Sequence, residues 1–173
     1  MKTLVIVHGG QTGVDRGAHD AAIDCKWPLY GYMPKNGMDE LGAIPPEVAT
    51  HLQYCTVDGL SARTRVNIDL ASCLLVVVQD RQDPYATPGT RLTLQYARES
   101  RRRRNPLPTA VIDPGERPVD LANWVRSQLV NPLYKTDFVR MMVAGPRESR
   151  WADGRHQTAG LLRAMNLQLH KED

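Results

Sequence analysis

Apolar residues follow two rhythms that alternate along the 173-residue chain. Unbroken runs such as "TLVIVH" (3–8) and "CLLVVVQ" (73–79) suit strands covered on both faces, and between them apolar spacings of three and four mark helices. The pattern predicts strands at 3–8, 29–33, 52–57, 73–79, 109–113 and 138–144. It predicts a helix at 14–26, with Val14, Ala18, Ala21, Ala22 and Cys25 on one side, and another at 61–72 with Ser61 as N-cap. Further helices are expected from about Thr90 to Arg103, near 118–129, and at 155–169 with Leu162, Met165 and Leu169 inward. Strands interleaved with helices predict an α/β sandwich around a mainly parallel sheet, in one domain spanning 1–173. The Gly- and Pro-rich stretch "MPKNGMDELGAIPPE" (33–47) reads as a long loop over one edge of a site.

Composition narrows the class. With 42% hydrophobic and 24% charged residues the chain reads as a folded globular protein. The longest aliphatic run, "LLVVV" (74–78), is far too short to span a membrane. A strand beginning at Thr3 leaves no room for a signal peptide, so a cytoplasmic protein is expected. Cys25, Cys55 and Cys73 are odd in number and widely spaced, which suggests neither a disulfide framework nor a zinc knuckle. A net charge of +3 does not by itself imply nucleic acid. The basic run "RESRRRR" (98–104) reads first as a solvated helix end, because consecutive arginines Arg101–Arg104 point around every side of a helix. An anion or nucleic-acid patch is the alternative reading.

Candidate chemistry gathers at two turns that follow strands. Ligands of open parallel sheets sit beyond the C-terminal strand ends where strand order reverses, a crevice expected between the first and fourth strands here. In "HGGQTGVDRGAHD" (8–20), Gly9, Gly10 and Gly13 allow close backbone approach, and Thr12 and Asp15 have capping-box spacing that starts a helix near Gly13. Unpaired N–H groups there form an anion site, with Arg16 one turn inside as a cation and Gln11 free to reach a ligand. Asp15 reads as a cap, since a carboxylate facing a phosphate would repel it. In "DRQDPYATPGTRLT" (80–93), Gly89 and Thr90 offer a second helix start. Arg63 and Asn67 share one side of the third helix, where they serve either the site or solvent, and Thr64 reads as packing. Lys35 is a further cation, and "AGPRES" (144–149) either closes the site or only ends the sheet. No nucleophile–base pair or metal-spaced carboxylate set is visible, and the histidines suggest no catalysis.

Five stretches in order, "GGQTGVDRGAHDAA" (9–22), "GYMPKNGMDELGAIP" (31–45), "RTRVNI" (63–68), "PGTRLT" (88–93) and "VAGPRES" (143–149), together resemble the molybdenum cofactor carrier family. That family belongs to the Rossmann-like group containing the lysine-decarboxylase-like, cytokinin-activating enzymes. The resemblance implies a Rossmann-like three-layer sandwich, usually oligomeric, that binds molybdenum cofactor, a pterin monophosphate with a dithiolene-bound metal. It implies binding at Gly10, Gln11, Thr12, Gly13, Arg63, Thr64, Asn67, Gly89 and Thr90, with molybdoenzymes as recipients. Two departures stand out. Leu70, Ala71 and Ser72 occupy the place of an Asp-Ser-Asp run, and "TPGTRLTLQ" lacks the glutamate of the phosphoribohydrolase loop, which disfavours hydrolysis. Three rivals remain at this stage: a nucleoside monophosphate hydrolase, a nucleotide-signal sensor, and a nucleic-acid binder using the arginine run.

Overall fold

Strand β7 (Cys73–Val77) is buried at all five positions, and the computed structural model, which describes residues 2–99 and 106–171, shows why. It lies inside a five-stranded sheet in the order β2 (Leu29–Tyr30), β1 (Thr3–Val7), β9 (Phe138–Ala144), β7, β8 (Thr109–Ile112), with every pairing parallel. Thr3 pairs with Phe138 and Val7 with Met142, and Cys73 pairs with Met141 on the other side of β9. Helices α1 (Val14–Asp24), α5 (Pro118–Leu129) and α6 (Gly154–Leu169) cover one face; Val14, Leu121 and Leu162 pack there on Ile6, Leu75 and Met141. Helices α3 (Leu60–Leu70) and α4 (Pro88–Glu99) cover the other, where Ile68 and Leu94 meet Val7, Val76 and Met142. The fold is therefore the expected Rossmann-like three-layer sandwich. Among the described residues no helix is long and apolar enough to cross a membrane.

Three expectations change. Crevice strands one and four, β1 and β7, are not neighbours, because the last strand in sequence, β9, is inserted between them. The strand expected at 29–33 is two: β2 joins the main sheet, and β3 (Tyr32–Met33) pairs instead with β6 (Gln53–Tyr54). The break falls at Gly31, where a side-chain carbon would lie 2.1 Å from the His8 carbonyl oxygen. The 52–57 strand therefore shrinks to β6 and leaves the main sheet. The predicted loop at 33–47 carries a hairpin of β4 (Met38–Asp39) and β5 (Gly42–Ala43) followed by α2 (Pro46–Ala49), with Met33, Ile44, Val48 and Leu52 as a small core of its own. Helix α3 begins after Gly59 without a side-chain cap, so Ser61 is not its N-cap. Arg101 to Arg104 lie outside the described residues.

Met141 sits at the centre of the middle strand with 0% exposure. Met141→Ala should cost about 2–5 kcal/mol in urea unfolding, whereas Leu167→Ala, 68% exposed, should stay within about 0.5 kcal/mol.

Candidate functional site

Beyond the C-terminal strand ends three loops meet in the order that the sheet imposes. The glycine loop (9–13) follows β1, residues 145–150 follow β9, and residues 78–87 lead from β7 into α4. Between them, on the face of α3 and α4, lies a cavity of about 410 Å³, a size that suits a small ligand. Its lining includes Gln11, Asp15, Arg63, Thr64 and Gly89 from the expected set, along with Arg147 and Arg150. Met142, Ala144 and Leu92 supply apolar surface.

A buried ion pair organises the first loop. The Asp15 carboxylate accepts the Gly9 N–H at 3.0 Å, the Gln11 N–H at 3.2 Å and an Arg63 guanidinium N–H at 3.3 Å. Burial pushes the Asp15 carboxyl above its usual range, while Arg63 and the two backbone donors oppose that rise. Burial likewise draws the Arg63 guanidinium down, against the pull of Asp15. Arg63 packs against Gly9: a side-chain carbon at Gly9 would sit 1.5 Å from Arg63 Nη1. The expected capping box is thus not formed. Gly13 starts α1 without a side-chain cap, and Asp15 turns back to gather amides that the sequence reading left unpaired for a ligand.

Other candidates brace the site from outside the cavity lining. The Thr12 hydroxyl donates to Glu40, which also accepts the backbone N–H and hydroxyl of Ser149, so the β4–β5 hairpin is strapped across two of the three loops. Burial would raise the Glu40 carboxyl, yet hydrogen bonds from Ser149 and Thr12 hold it below its ordinary value. Arg16 donates to the Gly10 carbonyl at 3.2 Å and pairs with Asp39 of the hairpin at 2.5 Å. Asn67 clamps Tyr32 by both backbone groups, at 2.8 and 2.9 Å. The backbone of Gly13 lies against Pro146 and Arg147, and Lys35 is exposed and paired with Asp58 at 3.2 Å. Helix α4 starts two residues earlier than expected, at Pro88; Thr87 caps it by accepting the Thr90 N–H at 3.3 Å, and Thr90 itself is buried.

The family pattern described as circularly permutated YpsA SLOG matches residues 6–166. The chain belongs to the circularly permutated YpsA SLOG family. No curated protein matches it significantly. The crystal structure of a protein from Syntrophus aciditrophicus SB, named "putative molybdenum carrier protein", superposes with a TM-score of 0.76 at 26% identity, over 95% of each chain. This bears out the resemblance read from the motifs. In the sheet of this SLOG member the middle strand is the last in sequence.

Arg150, a further lining residue of this SLOG domain, was missed by sequence reasoning, and Thr93 entered it only as the end of "PGTRLT". Arg147 lay within "AGPRES", whose position between the two turns could be recognised only with β9 in the middle. Neither Arg147 nor Arg150 forms an ion pair with a described residue. Gln11 Oε1 and Arg63 Nε are buried without a hydrogen-bond partner among the described residues. A second hollow, about 620 Å³ around Lys2, Trp27 and Leu169, is roomier but lies by the start of β1 and holds no such orphaned atom. We place the site in the smaller cavity on that ground.

The histidines, set aside in the sequence, support the loop from behind. His8 Nδ1 accepts the Gly10 N–H at 3.1 Å, which leaves Nε2 as the protonated nitrogen, directed at His19 Nδ1 at 3.3 Å. The ring of exposed His51 lies 5.4 Å beyond that of His19. Burial holds His8 well below its ordinary 6.5 and lowers His19 as well. A lowered folded pKa means that the unfolded chain binds more protons below pH 6.5, so stability is full above about pH 7 and falls as acid is added. His8 should contribute to a loss of stability as the pH falls from 6.5 to 5.5. Thermal melts across that range should show the decline, and His8→Asn should flatten it. Gly9→Ala should displace Arg63 from Asp15 and lower stability by about 3 kcal/mol or more in chemical denaturation, the cost of breaking a buried pair.

Proposed function

We propose that this protein binds a heterocycle carrying a phosphate, with molybdenum cofactor as the ligand, and that it holds the cofactor for protection and transfer. The carrying observation is the charge of the cavity. Arg63, Arg147 and Arg150 line it against a single acidic residue, Asp15, which Arg63 already neutralises. What remains is two guanidinium groups free of ion pairs with described residues, beside the start of α4, whose dipole also favours an anion. The apolar surface of Met142, Ala144 and Leu92 suits a flat ring.

The residues present fit the pterin and the phosphate. They do not include a cysteine or histidine, and among the described residues no cluster of three or more His, Cys, Asp or Glu could hold a metal. The cofactor's metal is bound by its own dithiolene sulfurs, so the protein's task is to hold the organic part and shield it. The name of the structural neighbour, a molybdenum carrier, and the family resemblance read from the motifs support this choice of ligand. Transfer to recipient molybdoenzymes and assembly into a homo-oligomer, as the resemblance implies, belong to the same proposal, as does a cytoplasmic location.

A mononucleotide has the same outline and is the second reading, favoured by the same cavity. Hydrolysis of it is disfavoured because Asp15 is engaged by three donors and no other carboxylate lines the cavity. Incubation with nucleoside monophosphates should release no free base on chromatography.

Added under anaerobic conditions, the protein should slow the decay of released molybdenum cofactor; an unchanged decay would rule the carrier reading out. The double change Arg147→Ala, Arg150→Ala should lower affinity at least tenfold, equivalent to about 1.4 kcal/mol. Gly89→Ala offers a finer test. A side-chain carbon there meets nothing within 4 Å, so stability should move by no more than about 0.5 kcal/mol while calorimetric affinity falls.

A further inference from the structure

Two of the buried side-chain atoms without a partner belong to residues that line one end of the cavity, and their chemistry is complementary. Gln11 is 4% exposed and Arg63 is 8% exposed. The Gln11 amide directs Nε2 toward the Met38 carbonyl at 3.4 Å. A carbonyl can only accept, so this contact sets the orientation of the amide and leaves Oε1 as the orphan. Arg63 spends one terminal N–H on Asp15 and leaves Nε–H without a partner. Both residues donate to the same Asp15 oxygen, Gln11 through its backbone N–H and Arg63 through a terminal N–H, so one end of the cavity is lined by a residue with a spare acceptor and a residue with a spare donor, each buried at a cost that a matching partner would remove.

Resting on the reading that the cavity binds a phosphate-bearing heterocycle, we infer that Gln11 and Arg63 read a lactam edge of that heterocycle. The ring N–H is donated to Gln11 Oε1, and the adjacent carbonyl oxygen accepts Arg63 Nε–H. A guanidinium is a strong partner for a carbonyl oxygen on such a ring, as its frequent use on guanine shows. The 2-amino-4-oxopyrimidine ring shared by pterins and guanine has this edge.

The sheet order fixes the polarity of the bound molecule. The glycine loop after β1 and the start of α4 after β7 are at opposite ends, with residues 145–150 between them. At the glycine-loop end the Asp15 carboxylate lines the cavity 3.3 Å from Arg63 Nη1, which makes this end unfavourable for a phosphate and suitable for a neutral ring edge. At the far end Gly89 lies on the first turn of α4, and no acidic side chain lines the cavity there. The heterocycle lies over Gln11 and Arg63, and the phosphate lies toward Gly89 and the arginines of the middle loop.

The test is calorimetry on the whole protein with four probes: GMP, AMP, purine riboside 5′-monophosphate and ribose 5-phosphate. All carry a sugar phosphate, but only GMP carries a lactam. GMP should bind about tenfold more tightly than purine riboside monophosphate and clearly more tightly than AMP. Gln11→Met, similar in size but without the acceptor, should bring GMP to within about twofold of purine riboside monophosphate and leave ribose 5-phosphate unchanged. Gln11→Glu retains an acceptor and should keep the GMP preference, which separates recognition from any loss of folding in the methionine variant. Equal affinity for GMP and AMP, or a Gln11→Met loss that is the same for every probe, would overturn the inference. Should ribose 5-phosphate bind as tightly as GMP, the anion cavity stands and the lactam reading falls. Binding of none of the four would remove both.

Discussion

The contact between Asp15 and Arg63 sets most of what surrounds it. Two opposite charges, 3.3 Å apart and each more than nine-tenths buried, must satisfy one another because burial leaves them little hydration. Asp15 is fixed on α1 and Arg63 on α3, so the pair joins helices from opposite faces of the sheet. The remaining capacity of the carboxylate draws in the Gly9 and Gln11 amides and thereby shapes the loop after β1. Removing either charge would strand the other in a medium that tolerates it poorly, so the arrangement is all or nothing. It also explains why residue 9 must be glycine, since the guanidinium occupies the space where a side chain would be.

The pair gives the cavity its electrostatic character. A carboxylate lining a cavity would ordinarily repel an anion, yet here it is compensated, and the net positive charge comes from Arg147 and Arg150 on a separate loop. The β4–β5 hairpin holds that loop in place. Glu40 ties Ser149 to Thr12, while Asp39 ties the same hairpin to Arg16. Several candidate residues therefore lie outside the cavity lining. Thr12, Arg16 and Asn67 use their polar groups on protein partners and position the loops that meet at the cavity.

Much of this was readable from sequence because it is local. Helix α1 begins at Val14, as the spacing of apolar residues and Gly13 indicated, and β7 is buried along its whole length, as an unbroken aliphatic run demands. Short strands were harder. Residues 29–33 look like one strand, but Gly31 leaves room only for the His8 carbonyl, and the chain changes sheets there. Two-residue strands such as β6 have too few positions for alternation to register. The Thr12–Asp15 spacing was a sound local signal that lost to a stronger distant partner, because a buried carboxylate is worth more to a guanidinium than to a helix cap.

The sequence alone determined the class of fold, the succession of the main-sheet strands and of the five longer helices, and the two glycine-bearing turns that end up across one cavity. It did so because hydrophobic periodicity and backbone freedom act over a few residues. Only the tertiary structure decided that β9 lies between β1 and β7, which carries Arg147 and Arg150 into the site from the far end of the chain. Strand order depends on which faces bury one another, a matter of pairings as distant in sequence as Thr3 with Phe138 and Cys73 with Met141. The same is true of the partner that Asp15 takes and of the polar atoms of Gln11 and Arg63 left unmatched, since burial is a property of the assembled layers and not of any stretch within them.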